Sequence, residues 1–80
     1  MTPQEALDQI LKDLSVSFGD GLAARIISSA RSTARVPDDN LDTTHYTGVV
    51  QAVCEDARVI GMLGELTVRD KQSLWNKLVS

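Results

Sequence analysis

The stretch TPQEALDQILKDLSVSFGDG, residues 2–21, encloses one complete helix between its own start and stop signals. Thr2 followed three residues later by Glu5 is the pattern of a capping box, and Pro3 suits the first helical position. Gly19 offers a left-handed residue that ends the helix. Between these signals apolar side chains recur at helical spacing, at Leu7, Ile10, Leu11, Leu14 and Phe18. The stretch therefore predicts an amphipathic helix whose apolar side must be covered by other elements.

The rest of the chain predicts three more helices. The second covers about residues 21–35, with Asp20 placed to cap it, and it ends at a Val-Pro pair because the residue before a proline is pushed out of the helical region. The third opens at one of residues 42–44, and Gly61 and Gly64 weaken and end it. The last starts at Thr67, which can cap it.

No segment shows the alternation of a strand, so the sequence predicts an all-α fold. Residues 1–80 contain no Gly/Ser-rich linker and no convincing repeat, and their number suits one small domain. We expect a single helical domain, arranged as a small four-helix bundle or an orthogonal helical array. Its predicted core consists of Leu7, Leu11, Leu14, Phe18, Ile26, Ile27, Val49, Val53, Ile60, Leu74 and Leu78.

Composition excludes several classes of protein. Hydrophobic residues make up 42% of the chain and charged residues 24%, which is ordinary for a globular protein. One Cys and one His exclude an intrachain disulfide and a closed Cys/His zinc site, so we expect no metal and no cofactor. No stretch approaches the roughly 18 apolar residues of a membrane span, and the acidic residues 1–14 do not resemble a targeting segment. We expect a cytoplasmic protein that does not bind membranes.

The groups that could carry chemistry lack the neighbours that would activate them. His45, the only histidine, has no Ser or Cys nucleophile beside it in a recognisable motif. Cys54 is followed by Glu55 and Asp56, whose charges discourage the thiolate. The acids after Pro37 lack the spacing of a calcium-binding loop, and acids ahead of a helix usually cap it. The sequence therefore predicts no catalytic residue and no enzyme.

One alternative gives the histidine an active role. The segment His45-Tyr46-Thr47-Gly48 resembles the His-containing segment of histidine phosphotransfer domains, which are helical bundles, in having a glycine near the histidine. The resemblance covers only this segment, and it implies a phosphotransfer-like helical domain that uses His45. The lysine that those domains carry between the histidine and the glycine is missing in this chain.

The distribution of charge singles out the second helix. The chain has 8 Lys and Arg against 11 Asp and Glu, a net charge of −3, yet residues 22–36 contain Arg25, Arg31 and Arg35 and no acid. Arginine makes bidentate contacts with carboxylate and phosphate, and serines share its side of the helix. Three interpretations of this Arg/Ser face of the helix stay open. It could bind an acidic protein surface, it could bind nucleic acid, or it could be a solvated face whose arginines pair with acids of the same fold. The acids concerned are Asp38, Asp39 and Asp56.

Two further residues are candidates for contact with a partner. The predicted third helix carries a second apolar arc of Ala52, Val59, Met62 and Leu63, and a helix that is apolar on two sides is central in its fold or covered by another chain. This arc predicts a homodimer or a partner-bound state. Trp75 is expected in the core, and the alternative is an interface anchor, a role in which Trp is over-represented.

These observations favour a binding function. We expect a small acidic helical protein-interaction module, or a regulatory or adaptor subunit without catalysis, that binds a protein partner or itself. Its candidate contact residues are Arg25, Arg31, Arg35, Met62 and Trp75. The first alternative is a DNA-associated regulator that uses the Arg/Ser face of the second helix, although the connection to the third helix is long for a helix-turn-helix. The phosphotransfer-like domain is the second alternative.

Overall fold

The computed structural model describes residues 2–36 and 41–79, which form five helices and no strand. The helices are α1 (Pro3–Phe18), α2 (Asp20–Ala34), α3 (Thr43–Glu55), α4 (Ala57–Leu63) and α5 (Glu65–Lys77). The prediction of an all-α protein is confirmed. The predicted number of four helices is wrong for the described part of the chain, because the third predicted helix is divided in two. The bundle or array arrangement stays a prediction.

The predicted capping box opens α1. The Thr2 hydroxyl accepts the amide of Glu5 at 3.2 Å, and the Glu5 carboxylate accepts the amide of Thr2 at 3.0 Å. These hydrogen bonds lower the pKa of Glu5. Gly19, at φ 82°, ends α1 and directly precedes α2, a conformation that glycine adopts without strain. Asp20 is therefore the first residue of α2, and the prediction that its side chain caps this helix is wrong.

Helix α2 packs against both α1 and α3. It ends in a Schellman motif, in which the amide of Val36 donates to the carbonyl of Arg31 at 3.1 Å and the amide of Arg35 donates to that of Ser32 at 3.2 Å. The motif holds Arg35 in the left-handed region, at φ 56° and ψ 45°, where glycine is the usual residue. The buried side of α2 consists of Ala23, Ile26, Ile27 and Ala30.

The predicted third helix is interrupted at Asp56. This residue is extended, at φ −66° and ψ 125°, and its carboxylate caps α4 by accepting the amide of Arg58 at 2.8 Å. The guanidinium of Arg58 donates to the same carboxylate at 2.7 and 3.0 Å, which lowers the pKa of Asp56. After the break, Val59 is fully buried in the core. The predicted second apolar arc is therefore wrong, because its members belong to two helices and one of them is a core residue.

Helix α5 begins at Glu65 rather than at the predicted Thr67, because Gly64, at φ 84°, ends α4 and directly precedes α5. Trp75 is only 2% exposed, which confirms its expected place in the core. Its neighbour Leu74 is 54% exposed, so its predicted burial is wrong. Adjacent residues of a helix point about 100° apart, and the larger indole occupies the position that faces the core.

Buried residues from all five helices form one hydrophobic core. The predicted core residues that are buried in it are Leu7, Leu14, Ile26, Ile27, Val49 and Val53. The predicted core residues that pack partly buried against it are Leu11, Phe18, Ile60 and Leu78. Every predicted core residue except Leu74 therefore lies in the core or packs against it, while other buried residues, such as Ile10 and Val50, are absent from the predicted list.

Polar contacts around Trp75 join α1, α3 and α5. The Tyr46 hydroxyl donates to the Trp75 carbonyl at 2.6 Å, and Nε1 of Trp75 donates to Oδ2 of Asp13 at 3.1 Å. Nζ of Lys71 lies 3.5 Å from the same carboxylate oxygen. Burial raises the pKa of Tyr46 to about 12, because the phenolate would lose its hydration. Both large aromatic side chains of this region thus have partners for their polar atoms.

Candidate functional site

The outer face of α2 is the side that its core residues leave to solvent. Its exposed members are Asp20, Gly21, Ala24, Arg25, Ser28, Ser29, Ser32, Thr33 and, just after the helix end, Arg35. Arg31 is half-buried, and we count it with this face because its side chain is charged. The helix therefore presents the three predicted arginines on one surface, together with short polar side chains.

No ion pair to these arginines occurs within residues 2–36 and 41–79, and the acid of the same helix, Asp20, lies in its first turn. The ion pairs found there join Asp42 to His45, Asp56 to Arg58 and Asp13 to Lys71. One of the acids proposed to neutralise the face, Asp56, is thus bound to Arg58 instead. The other two, Asp38 and Asp39, lie outside the described residues. In the described part of the chain, the outer face of α2 is a positive surface on an acidic protein.

The position of two arginines has a local benefit for the helix. Arg31 lies in the last turn of α2 and Arg35 follows its end, where a positive charge stabilises the negative end of the helix dipole. Arg25 lies in the middle of the helix and has no such effect. The dipole therefore explains part of the charge at this face, but not Arg25.

The side chains around the arginines are short and are not strong helix formers. Ser28, Ser29 and Ser32 are exposed, and the Thr33 hydroxyl donates back to the carbonyl of Ser29 at 3.0 Å. An exposed helix is ordinarily supported by long charged side chains of both signs, four residues apart. Because α2 lacks these, its stability comes from its buried side, and its outer face is smooth and positive.

His45 lies in the first turn of α3, beside the cap of that helix. The Asp42 carboxylate accepts the backbone amide of His45 at 2.8 Å. Nδ1 of the His45 ring lies 3.0 Å from the same oxygen, but at an angle that does not make a hydrogen bond. The ring is 29% exposed, so its other edge reaches solvent. The histidine thus sits at a helix cap, and a phosphotransfer role for it stays a prediction.

Cys54 lies at the inner wall of a cleft between α3, α4 and α5. Burial, and then the charge of Glu55, raise the pKa of its thiol to about 11. The sulfur lies 3.9 Å from the carbonyl oxygen of Val68, and the side chain is 6% exposed. A thiol in this state is protonated at neutral pH and is a poor nucleophile.

The cleft itself has a volume of about 400 Å³, which falls within the size range of small-molecule sites. Its lining consists of Gln51, Cys54, Glu55, Ile60, Glu65, Val68, Arg69 and Gln72. Of these residues, the sequence indicates only Cys54 and Glu55 as groups that could carry chemistry. The others come from three helices, and no regular spacing along the chain shows that these helices pack together. The lining carries charges of both signs, so it favours neither an anion nor a cation.

Of the two apolar candidates for partner contact, Met62 is exposed and Trp75 is buried. Met62 on α4 is 59% exposed, and Leu66 in the first turn of α5 is also exposed. Trp75 lies inside, so its indole offers no surface to a partner. Of this pair, only Met62 remains a candidate contact residue.

The described residues contain no group of three or more His, Cys, Asp or Glu placed to hold a metal ion. In the same part of the chain, no helix combines the length and the apolar character needed to cross a membrane. Comparison of the chain with protein-family models, with curated proteins and with solved structures finds no significant match in any of the three. The assignment of a function therefore depends on the surfaces of this molecule alone.

Proposed function

We propose that this chain is a small helical protein-interaction module without catalytic activity, and that the outer face of α2 binds an acidic surface of a protein partner. The proposal is carried by one observation: three arginines share this face in a chain whose net charge is −3. Residues 22–36 include no acid, and no ion pair to the three arginines occurs among the described residues. Carboxylates of a partner would supply a counter-charge to these arginines.

Arginine suits such a contact because its planar guanidinium binds a carboxylate through two parallel hydrogen bonds. An exposed ion pair contributes only about 0.2–1 kcal/mol, so three such pairs alone give weak binding. Their larger effect is on the rate and the specificity of association. These properties fit a regulatory or adaptor role in which binding is transient.

The groups that could carry chemistry support a role without catalysis. The Cys54 thiol, with its pKa raised to about 11, lacks the positive neighbour that activates a nucleophilic cysteine. His45 lies against its own helix cap. A free thiol suits the reducing cytoplasm, where we place the protein.

The proposal is tested by reversing charge on α2. The double variant Arg25→Glu/Arg31→Glu should no longer capture a partner from a lysate of the native host, as read by mass spectrometry. Its melting temperature should stay nearly unchanged, since surface substitutions usually alter stability by less than about 0.5 kcal/mol each.

A matched control carries Lys12→Glu and Arg69→Glu, which reverse two exposed cations on α1 and α5 and change the net charge equally. This control should retain the partner. Equal loss of capture in both double variants would assign the effect to net charge and overturn the assignment to α2.

A DNA-associated regulator is the second candidate, because the same arginines can contact phosphates. Two observations weigh against it: the net charge of −3 opposes a phosphate backbone, and residues 35–42 join α2 to α3 where a helix-turn-helix has a turn of about three or four residues. DNA binding predicts a shift of a labelled duplex at low salt that is lost steeply as salt rises. If the unaltered chain shifts the duplex and the Arg25→Glu/Arg31→Glu variant does not, DNA rather than a protein is the partner of this face.

We also propose self-association. The predicted second apolar arc no longer supports it, so another surface must form the contact. A symmetric dimer across the outer face of α2 would place arginines against arginines, which repel. We therefore propose that a homodimer uses the exposed Met62 and Leu66 near the junction of α4 and α5. Light scattering on a gel-filtration peak at high concentration should show a dimer that Met62→Glu weakens, and a monomer would exclude self-association.

A further inference from the structure

We infer that the occupant of the outer face of α2 is an acidic α-helix of another protein, laid lengthwise along α2; the inference rests on the proposed function. At 1.5 Å per residue, Arg25 and Arg31 lie about 9 Å apart along the helix axis, and Arg35 follows about one turn later. At about 100° per residue the side chains of Arg25 and Arg31 also point about 120° apart around the axis, so the positive charge is distributed along the helix and on both sides of its outer face. A partner must present its carboxylates over the same length.

The surface beside this line allows close approach. Ala24, Ser28 and Ser32 follow one another at four-residue steps, so their short side chains lie in one row along the helix, beyond Asp20 in the first turn. At Gly21 there is open space, since an added Cβ would meet no atom within 4 Å. Short side chains let two helix axes approach towards the lower end of the range of about 8–10 Å. An acidic helix at that distance would bring its carboxylates within reach of the guanidinium groups.

Other occupants fit the face less well. An extended peptide that binds by adding a strand to a sheet edge has no place here, because the described ranges contain no strand. A proline-rich segment binds in grooves lined by aromatic side chains, and the outer face of α2 has none. A second copy of this chain could use the face only head to tail, since a symmetric contact would oppose like charges.

The experiment is a selection from a phage-displayed library of random peptides about 16 residues long, roughly four turns of helix, against the immobilised full chain. We expect enriched peptides with Asp or Glu recurring every three or four residues and without internal proline. These peptides should not be enriched on the Arg25→Glu/Arg31→Glu variant.

The outcomes separate this inference from the proposed function. Enriched peptides whose acids lack helical spacing, or that contain internal proline, would overturn the helical occupant and leave an acidic partner standing. Peptides without an acidic bias, an equal enrichment on the double variant, or no enrichment would overturn both.

A second variant tests the lengthwise packing without altering charge. Ser28→Gln places a longer neutral side chain in the row of short residues, and Gln is the better helix former, so the fold is retained. The affinity of the most enriched peptide, measured by fluorescence anisotropy, should fall about tenfold. Ser73→Gln, on the exposed side of α5, should leave it unchanged. Equal affinity for the Ser28→Gln variant and the unaltered chain would overturn the lengthwise packing.

Discussion

The region around Trp75 and the outer face of α2 treat polar groups in opposite ways. Around Trp75, the Tyr46 hydroxyl and the indole N–H each bind an atom of another helix, and Asp13 is shared with Lys71. On the outer face of α2, three arginines form no ion pair within residues 2–36 and 41–79. A polar group in the core destabilises the fold unless it is paired, whereas a solvated guanidinium does not. The first region therefore joins three helices of the fold, whereas the second is the surface that we propose for a partner.

The largest expected change in stability comes from a substitution at the centre of the region around Trp75. Trp75→Ala should lower the free energy of unfolding by about 3–5 kcal/mol, because it removes a buried indole and leaves a cavity. Leu74→Ala is the matched control. Because the Leu74 side chain is 54% exposed, this variant should lose much less free energy of unfolding. Urea denaturation followed by circular dichroism measures both, and equal losses would contradict the placement of the two residues.

The next effect depends on the ionisation of Tyr46. Its pKa is raised from 10.0 to about 12, so the unfolded chain ionises first as the pH rises. The stability from the neutral phenol is therefore complete below pH 10 and is lost between pH 10 and about 12, by about 3 kcal/mol. Cys54 acts in the same direction, since its pKa is raised from 9.0 to about 11. Urea midpoints over this pH range should fall less steeply for Tyr46→Phe, and identical slopes would refute the role of Tyr46.

A smaller effect is expected at the break between α3 and α4. Asp56→Ala removes the side chain that caps α4 and should cost about 1 kcal/mol of stability. Asp70→Ala, an exposed acid on α5, changes the net charge equally and should cost less. Thermal unfolding compares the two variants. An equal loss would show that the cap contributes nothing beyond charge.

At the end of α2 we expect a gain of stability. Arg35→Gly should raise the free energy of unfolding by about 0.5–1 kcal/mol, because glycine adopts the left-handed conformation that strains other residues. Partner capture should fall with the lost charge. Arg35→Ala keeps the strain and removes the charge, so it should reduce capture without the gain in melting temperature. Full capture by both variants would remove Arg35 from the binding surface.

The smallest effect on stability belongs to the middle of the outer face. Arg25→Glu should change the free energy of unfolding by less than about 0.5 kcal/mol, because the side chain is exposed and lies away from the helix ends. Partner capture should nevertheless fall. A clear loss of stability in urea denaturation would mean instead that acids of the same fold neutralise this arginine.

The candidate site could largely be predicted from the sequence, and the cleft could not. A run of arginines without acids opposite a row of buried Ala and Ile already places the charge on the outer side of α2, since helical periodicity determines the faces. The cleft beside Cys54 arises from the relative placement of α3, α4 and α5. No spacing within one helix records that placement.

The features that depend on a few neighbouring residues follow from the amino-acid sequence alone. The capping box of Thr2 and Glu5, the positive φ at Gly19 and the apolar stripe of α1 all follow from interactions within about one turn of helix. Tertiary structure alone decided that Asp56 divides a continuous apolar pattern and that Trp75, rather than Leu74, faces the core. The hydrogen bonds of Trp75 reach Tyr46, 29 residues away, and Asp13, 62 residues away, so its position depends on contacts between distant helices that no local pattern encodes.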